Sequence, residues 1–308
     1  MYIVDESHPC PATPCVATIG FFDGVHRGHR YLLEQLSAEA ERRSVESCVV
    51  TFDAHPRRAL DAGFQPRLLT SLAEKLDLLA AAGVDRCCVL YFDRALAALP
   101  ARDFMQTYLK EKWHAAALLV GYDHHFGRGG DEGFVNYVRY GRELGIDVVR
   151  ARSFQTADVR VSSSATRRFL EAGNVEMARL CLGRPYRLSG TVVEGRRVGR
   201  HLGFPTANVA PDCADKLIPA TGVYAVRAEA DGKDYDAMVN IGDRPTFGDG
   251  GPLSVEAHLF GFSGDLYNHT LRLDFVRHLR EERRFDSPEA LRRQLEADAG
   301  EALRLLRS

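Results

Sequence analysis

Residues 20–29, G-F-F-D-G-V-H-R-G-H, form the densest group of side chains in the chain that could do chemistry. The glycines would let a ligand approach the backbone closely. A helix that begins within this segment would direct free N–H groups and a positive dipole at a phosphate. His26 and His29 could donate hydrogen bonds to phosphate oxygens as charge builds up in a transition state. We therefore predict a phosphate site here. A glycine turn with two surface histidines, or a metal site of Asp23, His26 and His29, remain the alternatives.

A run of serines offers a second place for phosphate. Ser162, Ser163 and Ser164 stand at a predicted helix start and present hydroxyl and N–H groups, and Arg167 adds a fixed positive charge. The same serines could act only as a helix N-cap. The spacing alone leaves both interpretations open.

The second half of the chain carries G-F-P-T-A-N at residues 203–208. No G-x-x-x-x-G-K-[ST] string is present, so a P-loop cannot hold the phosphates here. The Thr206 hydroxyl and the Asn208 carbonyl are hard oxygen ligands that suit Mg²⁺ bridged to ATP phosphates. The loop of residues 195–203 could fold over a polyphosphate or form a basic hairpin tip, because it contains Arg196, Arg197 and Arg200.

Glu256 lies in a strand-like run, S-V-E-A-H-L-F, at residues 254–260. Strand position alone favours a carboxylate that faces solvent. A kinase, however, needs a group that orients and deprotonates the attacking hydroxyl. Ser254 and His258 share the face of Glu256 by alternation and are the fallback candidates for that role.

The elements that must position these residues differ between the two halves. In the first half, apolar runs at 16–19, 45–52, 87–92, 116–120 and 146–149 alternate with helical spacing at 31–43, 72–82, 104–112 and 134–144. Strands that alternate with helices predict βαβ units and a parallel sheet. Residues 116–120, A-A-L-L-V, are apolar on both faces, which predicts helices on both sides of that sheet.

The second half predicts a small antiparallel barrel or sandwich. Short alternating strands are predicted at 188–194, 223–228, 235–241, 253–260 and 271–276, and two short helices at 163–183 precede them. A final helix is expected to begin at Ser287 as N-cap, with Pro288 in its first turn. We place the boundary near residues 183–187, which gives domains of residues 1–183 and 184–308.

The composition of the chain limits its possible binding partners and its cellular compartment. The net charge of -2 argues against a nucleic-acid partner, which usually requires a basic excess. No run of about 18 apolar residues is present, and the acidic start lacks the basic residues of a signal peptide. The lack of a long apolar run argues against a membrane partner. None of the seven cysteines forms a C-x-x-C pair, which indicates reduced thiols in a cytoplasmic protein.

Taken together, the motifs resemble the bacterial bifunctional riboflavin kinase/FMN adenylyltransferase (FAD synthetase) family over roughly residues 15–300. The H-x-G-H string at 26–29 is typical of nucleotidyltransferases, and G-x-P-T-A-N is typical of riboflavin kinases. The chain also resembles further motifs of this family at residues 51–56, 120–127, 161–167, 195–200, 240–247 and 279–285. The chain departs from them at Ala54, His124, Ser164 and Thr166, where the family has proline, an aromatic residue, threonine and isoleucine.

The resemblance implies an α/β nucleotidyltransferase domain with a Rossmann-like parallel sheet, followed by a small antiparallel β-barrel kinase domain with a C-terminal helix. It implies phosphorylation of riboflavin to FMN and adenylylation of FMN to FAD and pyrophosphate, each with ATP and Mg²⁺. Catalytic roles are implied for Glu256, His26 and His29. ATP contacts are implied for Gly20, Phe22, Asp23, Gly24, Gly28, Ser162, Ser163, Ser164, Arg167, Gly195, Gly199, Gly203 and Pro205. Flavin contacts are implied for Asp53, His55, Pro56, Asp123, Phe126, Arg280 and Glu282, and metal contacts for Thr206 and Asn208.

Several alternatives stay open at this stage. Residues 53–56 could be a strand-end turn, and Asp123 could only cap a loop. The chain could be a riboflavin kinase whose first domain is inactive, with His124 as the suspicious change, or a flavin- or nucleotide-binding regulator. The oligomeric state is left open between a monomer and a homo-oligomer.

Overall fold

The computed structural model describes residues 1–5, 8–61, 63–128, 132–157, 159–195, 203–243 and 253–307. It contains two compact units, Met1–Val161 and Ser162–Ser308. Each unit has its own sheet, and the two units are described separately below.

The first unit is built on a six-stranded, wholly parallel sheet. Its strands are β1 (Tyr2–Val4), β2 (Cys15–Ile19), β3 (Glu46–Phe52), β4 (Arg86–Leu90), β5 (Ala115–Val120) and β6 (Asp147–Arg150), in the order β1-β4-β3-β2-β5-β6. The chain builds outward from β2 to β4 on one side and then crosses to β5 on the other. Ligands of such sheets bind beyond the carboxyl ends of the strands at this switch point, which here lies between β2 and β5.

Helices connect the strands of the first unit. They are α1 (Arg27–Arg43), α2 (Pro56–Leu60), α3 (Leu72–Ala81), α4 (Arg94–Ala97), α5 (Ala101–Phe104) and α6 (Phe134–Leu144), and a π-helical stretch, Met105–Lys112, follows α5. Two apolar clusters cover the two faces of the sheet, because successive strand residues such as Ala17 and Val16 point to opposite sides. The prediction of a parallel sheet with helices is confirmed. Strand β1 was not predicted, and the helix predicted at 104–112 is α-helical only at its start and π-helical over Met105–Lys112.

The second unit is a closed barrel of six antiparallel strands. Two helices precede it, α7 (Ser163–Glu171) and α8 (Val175–Leu182), and α9 (Pro288–Leu306) follows it. The strands are β7 (Tyr186–Val193), β8 (Ala207–Pro211), β9 (Gly222–Ala230), β10 (Lys233–Asp243), β11 (Leu253–Leu259) and β12 (Thr270–Arg280), in the order β10-β11-β8-β7-β12-β9. Ser287 caps α9 by accepting a hydrogen bond from Ala290 N at 3.1 Å, and Pro288 opens the helix as predicted.

The helices α7 and α8 belong to the second compact unit. The Ala220 N–H donates to the Leu170 carbonyl of α7 at 3.0 Å, and Arg277 of β12 pairs with Glu176 of α8 at 3.0 Å. The boundary between the two compact units therefore lies about twenty residues before the predicted boundary near 183–187. The boundary at 183/184 stays a prediction for which a fragment experiment is given below.

Two further observations bear on the sequence predictions. All seven cysteines are free thiols. Within the described ranges, no helix combines the length and the apolar character needed to cross a membrane.

Candidate active sites

The glycine loop, residues 20–28, runs from the end of β2 into the first turn of α1 at the switch point of the sheet. It turns tightly: Phe22, Gly24 and Val25 have φ angles of 54°, 80° and 36°. The Phe22 ring folds back over Gly20, where an added Cβ would lie 2.9 Å from the Phe22 Cε2 atom. A side chain at residue 20 would therefore have to displace the buried Phe22 ring. The turn brings the start of α1 to the carboxyl edge of the sheet.

His26 and His29 are stacked at the start of α1. His26 is the N-cap, and its Nδ1 accepts a hydrogen bond from His29 N at 3.2 Å. The two imidazole rings lie 3.6 Å apart between centroids and are inclined by 14°. Gly28 leaves room for the pair, because a Cβ there would lie 3.2 Å from the His26 ring. Since Nδ1 of His26 accepts, the N–H of the neutral ring is on Nε2.

Burial keeps His29 neutral. Burial lowers the pKa of His29 well below its ordinary 6.5, and the nearby His26, His124 and Lys75 act in the same direction. As a whole residue His29 is only partly buried, but its Nδ1 is buried and has no hydrogen-bond partner within the described part of the chain. A neutral imidazole with an unsatisfied nitrogen can receive a ligand group.

His124 replaces the aromatic residue of the family motif, and the structure places it near His29. Burial lowers the pKa of His124 to about 4, so this imidazole is neutral at pH 7. Its Nε2 is buried without a partner among the described residues. The substitution thus adds a second neutral imidazole to the surroundings of His29.

Asp23 anchors the glycine loop. Asp23 is 3 % exposed. Its carboxylate accepts hydrogen bonds from Leu69 N at 2.9 Å, from Thr70 N at 3.0 Å and from the Thr70 hydroxyl at 3.2 Å. The Gly24 N–H donates to the same hydroxyl at 3.0 Å. These bonds give Asp23 a positioning role, and its predicted contact with ATP stays a prediction. Among the described residues, no three histidine, cysteine, aspartate or glutamate side chains are grouped to hold a metal.

Residues 53–56 lie where β3 ends. The Asp53 carboxylate accepts from Phe92 N at 3.1 Å and so ties the end of β3 to the segment after β4. His55 caps α2 by accepting from Arg57 N at 3.2 Å, and Pro56 is the first residue of that helix. The His55 ring meets Phe21 of the glycine loop edge-on at 5.0 Å between centroids. The strand-end turn therefore exists, and it also brings His55 against the glycine loop.

Asp123 and Phe126 follow β5 on the other side of the switch point. Asp123 is exposed, whereas Phe126 is half-buried and stacks on Tyr137 with 4.2 Å between ring centroids. The Tyr137 hydroxyl accepts from Phe126 N at 2.9 Å and donates to backbone carbonyls, which fixes the Phe126 backbone. The sheet topology thus puts both predicted flavin residues at the edge where the glycine loop lies.

The serine run lies in the second unit, at the start of α7. Ser162 is the N-cap and accepts from Ala165 N at 3.1 Å, so the capping interpretation holds for this residue. Ser163 and Arg167 are half-buried in the first two turns, and Ser164 is exposed. Their predicted contact with phosphate stays a prediction.

In the second unit, three polar side chains form a row across neighbouring strands. Glu256 of β11 is paired with Asn208 of β8 on one side and with Asn240 of β10 on the other. Residues paired in this way project from the same face of a sheet. The neighbours Val255 and Ala257 are buried in the barrel, so the row faces outward. The sequence placed Asn240 in a family motif at residues 240–247 but assigned it no role, although strand alternation places it on this face.

Thr206 completes this polar row. Its hydroxyl lies 3.4 Å from the Glu256 Oε2 and donates toward it. Asn208 is packed on Gly195, where an added Cβ would fall 1.9 Å from the Asn208 Nδ2. The hydroxyl of Thr206 and the amide oxygen of Asn208 are hard oxygen ligands that suit Mg²⁺, and they lie beside the Glu256 carboxylate. Gly203 has a φ of 83° just before this segment, and Gly199 lies outside the described residues.

A cavity of about 290 Å³ opens beside the row. It lies between the outer face of the barrel and the segment leading into α9. Its walls are partly apolar and partly charged, and are formed by Phe204, Thr206, Val223, Met238, Asn240, Glu256, His258, Arg280, Glu282, Arg283, Phe285, Leu291 and Leu295. An apolar pocket with a few converging polar groups is the usual form of a small-molecule site.

The two predicted flavin residues of this unit line the cavity in different ways. The Arg280 guanidinium is bound to the buried Asp298 of α9, with 2.8 Å between Nη2 and Oδ2. The Glu282 side chain is exposed but reaches Gly242, where an added Cβ would lie 2.4 Å from its Oε1. Arg280 thus fixes α9 over the cavity, while Glu282 borders its opening.

His258 holds the segment that carries Thr206. Its Nδ1 donates to the Pro205 carbonyl, with 2.7 Å between the two atoms, and its ring meets Phe204 at 5.2 Å between centroids. Ser254, the other fallback candidate, donates from its hydroxyl to the Gly242 carbonyl at 3.2 Å. Both side chains on the face of Glu256 are therefore engaged with backbone.

Comparison with known proteins matches each unit to a separate family. The model of FAD synthetase matches residues 9–165, and the model of riboflavin kinase matches residues 182–306. A bifunctional riboflavin kinase/FMN adenylyltransferase of Pseudomonas fluorescens is 40% identical over 94% of this chain and 92% of its own. The protein of that name from Escherichia coli K12 is 39% identical over 94% of this chain and 91% of its own.

A solved structure is similar over nearly the whole chain. A crystal structure described as a macrolide-efflux protein from Streptococcus pneumoniae superposes with a TM-score of 0.88, at 29% identity, over 97% of this chain and 98% of that one. The two family models and the curated relatives agree with one another on flavin enzymes. The chain belongs to the bifunctional riboflavin kinase/FMN adenylyltransferase family.

Proposed function

We infer that this chain phosphorylates riboflavin with ATP to give FMN and ADP, and adenylylates FMN with a second ATP to give FAD and pyrophosphate. The observation that carries this function is the presence of both family matches on one chain, each on a unit with its own candidate site. A riboflavin kinase with an inactive first domain is not favoured, because the relatives of similar length are named for both activities. No observation favours a regulator that only binds flavin or nucleotide.

We propose that the first unit carries out adenylyl transfer at the glycine loop. An oxygen of the FMN phosphate attacks the α-phosphorus of ATP, a new P–O bond forms, and the bond to the β-phosphate oxygen breaks as pyrophosphate leaves. His26 and His29 donate hydrogen bonds to the oxygens on which charge accumulates. Their stacked geometry, the neutral state of His29 and the buried His29 Nδ1 support this role. The backbone of Gly20, Phe22, Gly24 and Gly28 and the start of α1 bind phosphate.

In the second unit, we propose that Glu256 acts as the general base of the kinase step. The terminal ribityl hydroxyl of riboflavin attacks the γ-phosphorus of ATP, its proton passes to the Glu256 carboxylate, and ADP leaves. The cavity beside Glu256 supports this proposal, because it offers an apolar wall to the flavin ring. Gly195, Gly203 and Pro205 border the ATP phosphates, and Arg280 and Glu282 border the flavin.

Thr206 and Asn208 are the proposed Mg²⁺ ligands. Their hydroxyl and amide oxygens fit a hard cation that completes its shell with water and phosphate oxygens. The bound ion would offset the negative charge of the phosphates. In the first unit Mg²⁺ would enter with ATP, and we assign no ligand there.

The remaining proposals concern flavin contacts in the first unit, phosphate contacts of the serine run at the start of α7, and the setting of the protein. Asp53, His55, Pro56, Asp123 and Phe126 are proposed to bind FMN, and Ser162, Ser163, Ser164 and Arg167 to bind phosphate. We propose a cytoplasmic enzyme without nucleic-acid or membrane partners, and leave a homo-oligomer as a state to be measured.

Chromatography of the products formed from riboflavin, ATP and Mg²⁺ tests the function. FMN without any FAD would contradict the bifunctional assignment.

We expect Gly195→Ala to impair the kinase step. The added Cβ would occupy the position of the Asn208 amide, so Asn208 must move away from the proposed Mg²⁺ site. FMN formation should fall about tenfold or more, and the Mg²⁺ concentration needed for half-maximal rate should rise. Conversion of FMN to FAD should not change. Gly300→Ala in α9 is the control, since nothing lies within 4 Å of that position. A Gly195→Ala enzyme with normal FMN formation would contradict the role of Asn208.

Two fragments test the domain boundary. Both residues 162–308 and residues 184–308 are expected to form FMN and no FAD. The longer fragment should unfold at a higher temperature, because it retains the fully buried Leu170, Val175 and Cys181. Full burial of a large apolar side chain contributes about 1.5–3 kcal/mol. Thermal unfolding measures the difference. FAD formation by either fragment would show that adenylyl transfer does not require the first unit, and equal stability would show that α7 and α8 add nothing to the barrel.

A further inference from the structure

Lys75 is a buried cation at the end of two neighbouring strands. It lies in the first turns of α3 and is 2 % exposed. Its Nζ donates to the Phe52 carbonyl at 2.7 Å and to the Phe21 carbonyl at 3.2 Å. Phe52 is the last residue of β3, and Phe21 belongs to the glycine loop. One ammonium group thus joins the loop that follows β2 to the end of β3.

The ring of Phe21 adds a third contact. Nζ lies 4.4 Å from the centroid of that ring, a distance at which a cation is attracted to the aromatic face. Phe21 is therefore held both by its carbonyl and by its side chain. Because Phe21 precedes the strained residues Phe22 to Val25, this hold fixes the start of the turn that carries His26.

Burying a lysine is costly, so its charge state depends on its surroundings. Burial lowers the pKa of Lys75 from its ordinary 10.5 to about 8, and neighbouring acidic groups oppose that shift. The titratable groups that face Lys75 are Asp23 from the glycine loop, Asp53 from the end of β3, Cys87 from β4 and His29 from α1. At pH 7 the ammonium is charged, and at pH 9 most of it is neutral.

The charge of Lys75 also acts on His29. Burial is the largest cause of the low pKa of His29. The positive charge of Lys75 acts in the same direction as His26 and His124, because it disfavours a proton on that imidazole. A neutral imidazole can donate from one nitrogen and accept at the other, whereas an imidazolium can only donate. Lys75 is thus coupled to His29 through charge and to the glycine loop through hydrogen bonds.

We propose that Lys75 is a positioning residue for adenylyl transfer, whose charged form ties the glycine loop to the end of β3 and adds to the effect of burial that disfavours a proton on His29. The proposal rests on the adenylyltransferase function inferred for the first unit. It assigns a role in the reaction to the segment before and within α3, which carries none of the motifs of the family resemblance.

The pH dependence separates this role from simple stabilisation. The pKa of Lys75 is lower in the folded state, so between pH 8 and 10.5 the unfolded chain binds more protons. The contribution of Lys75 to the free energy of unfolding therefore rises with pH in this range. FAD formation, which needs the charge, should fall over the same range. Activity and stability should move in opposite directions.

Four proteins test the proposal as full-length chains: wild type, Lys75→Met, Lys75→Arg and the exposed control Lys110→Met. FMN-to-FAD and riboflavin-to-FMN rates are measured from pH 6.5 to 9.5. Wild-type FAD formation should fall with a midpoint near pH 8, and FMN formation in the same samples should lack that midpoint. Lys75→Met should be about tenfold slower at pH 7 and insensitive to pH. Because arginine keeps its charge, FAD formation by Lys75→Arg should not fall near pH 8. Lys110→Met should behave as wild type.

An NMR titration of the histidine rings gives a readout that does not depend on catalysis. The pKa of His29 should rise in Lys75→Met relative to wild type and Lys75→Arg. A Lys75→Met enzyme with wild-type rate and pH profile, or an unchanged His29 titration, would overturn the proposal. If Lys75→Met does not fold, the proposal would be overturned by a Lys75→Arg enzyme whose FAD formation still falls near pH 8 as in wild type. A wild type that forms no FAD at any pH contradicts the proposed function instead, and the His29 titration still tests the coupling.

Discussion

Replacing His29 with alanine is expected to slow conversion of FMN to FAD by about 100- to 1,000-fold, the usual cost of losing one transition-state hydrogen-bond donor. His29 has a buried Nδ1 without a partner among the described residues, and its ring stacks on His26 at 3.6 Å. Negative charge grows on the oxygens around the α-phosphorus during the reaction, and a preorganised donor stabilises it. Steady-state rates of pyrophosphate release measure the effect.

The second activity of the same chain controls for misfolding. FMN formation by His29→Ala should stay within about twofold of wild type, since Glu256 and its cavity belong to the other unit. His8→Ala, at an exposed histidine that pairs with Asp5, should alter neither rate. Added zinc should not rescue His29→Ala, because the histidines are proposed as donors and not as ligands. Equal loss of both activities would point to misfolding, and rescue by zinc would restore the metal interpretation of Asp23, His26 and His29.

The sequence predicted the parts of the molecule that depend on local pattern. The parallel sheet follows from apolar runs such as residues 116–120, and the barrel follows from alternating strands. The start of α9 was predicted because Ser287 and Pro288 are local signals. Strand β8 was not predicted, because its five residues, A-N-V-A-P, include a polar asparagine and end in proline.

Residues that act through distant contacts could not be identified in the same way. Ser71 and Glu74 form a capping box, which is a readable sign of a helix start. Nothing in the spacing shows that Thr70 would bind Asp23 or that Lys75 would reach the carbonyls of Phe21 and Phe52. Those contacts join residues that are 23 to 54 positions apart in the sequence, and they exist only once β2 and β3 are paired. A lysine in an amphipathic helix is ordinarily expected in solvent.

Glu256 illustrates the intermediate case. Its place in a strand predicted a side chain on one of two faces, and the spacing alone favoured solvent. The structure places the carboxylate on the outer face of the barrel but lining the cavity, 3.4 Å from the Thr206 hydroxyl. Alternation gave the face correctly, whereas the segment leading into α9, which encloses that face, could not be foreseen from the strand.

We expect Glu256→Gln to lower FMN formation by about 100-fold or more, within the range usually attributed to general-base catalysis. Glutamine keeps the size and the hydrogen bonding of glutamate, so the Thr206 hydroxyl retains a partner and the cavity keeps its shape. The ribityl hydroxyl then lacks a group to accept its proton as it attacks the γ-phosphorus. Riboflavin binding, measured by fluorescence titration, should stay within about threefold.

The controls for Glu256→Gln separate the loss of a base from the loss of a structure. Conversion of FMN to FAD should be unchanged, and Glu301→Gln, at an exposed glutamate of α9, should leave both rates as in wild type. His258→Gln and Ser254→Ala address the fallback bases. Both side chains already bond to backbone, so their loss should act on substrate affinity more than on turnover. A Glu256→Gln enzyme with undiminished turnover would remove Glu256 from the mechanism, and a His258→Gln enzyme with the larger loss would identify His258 as the base.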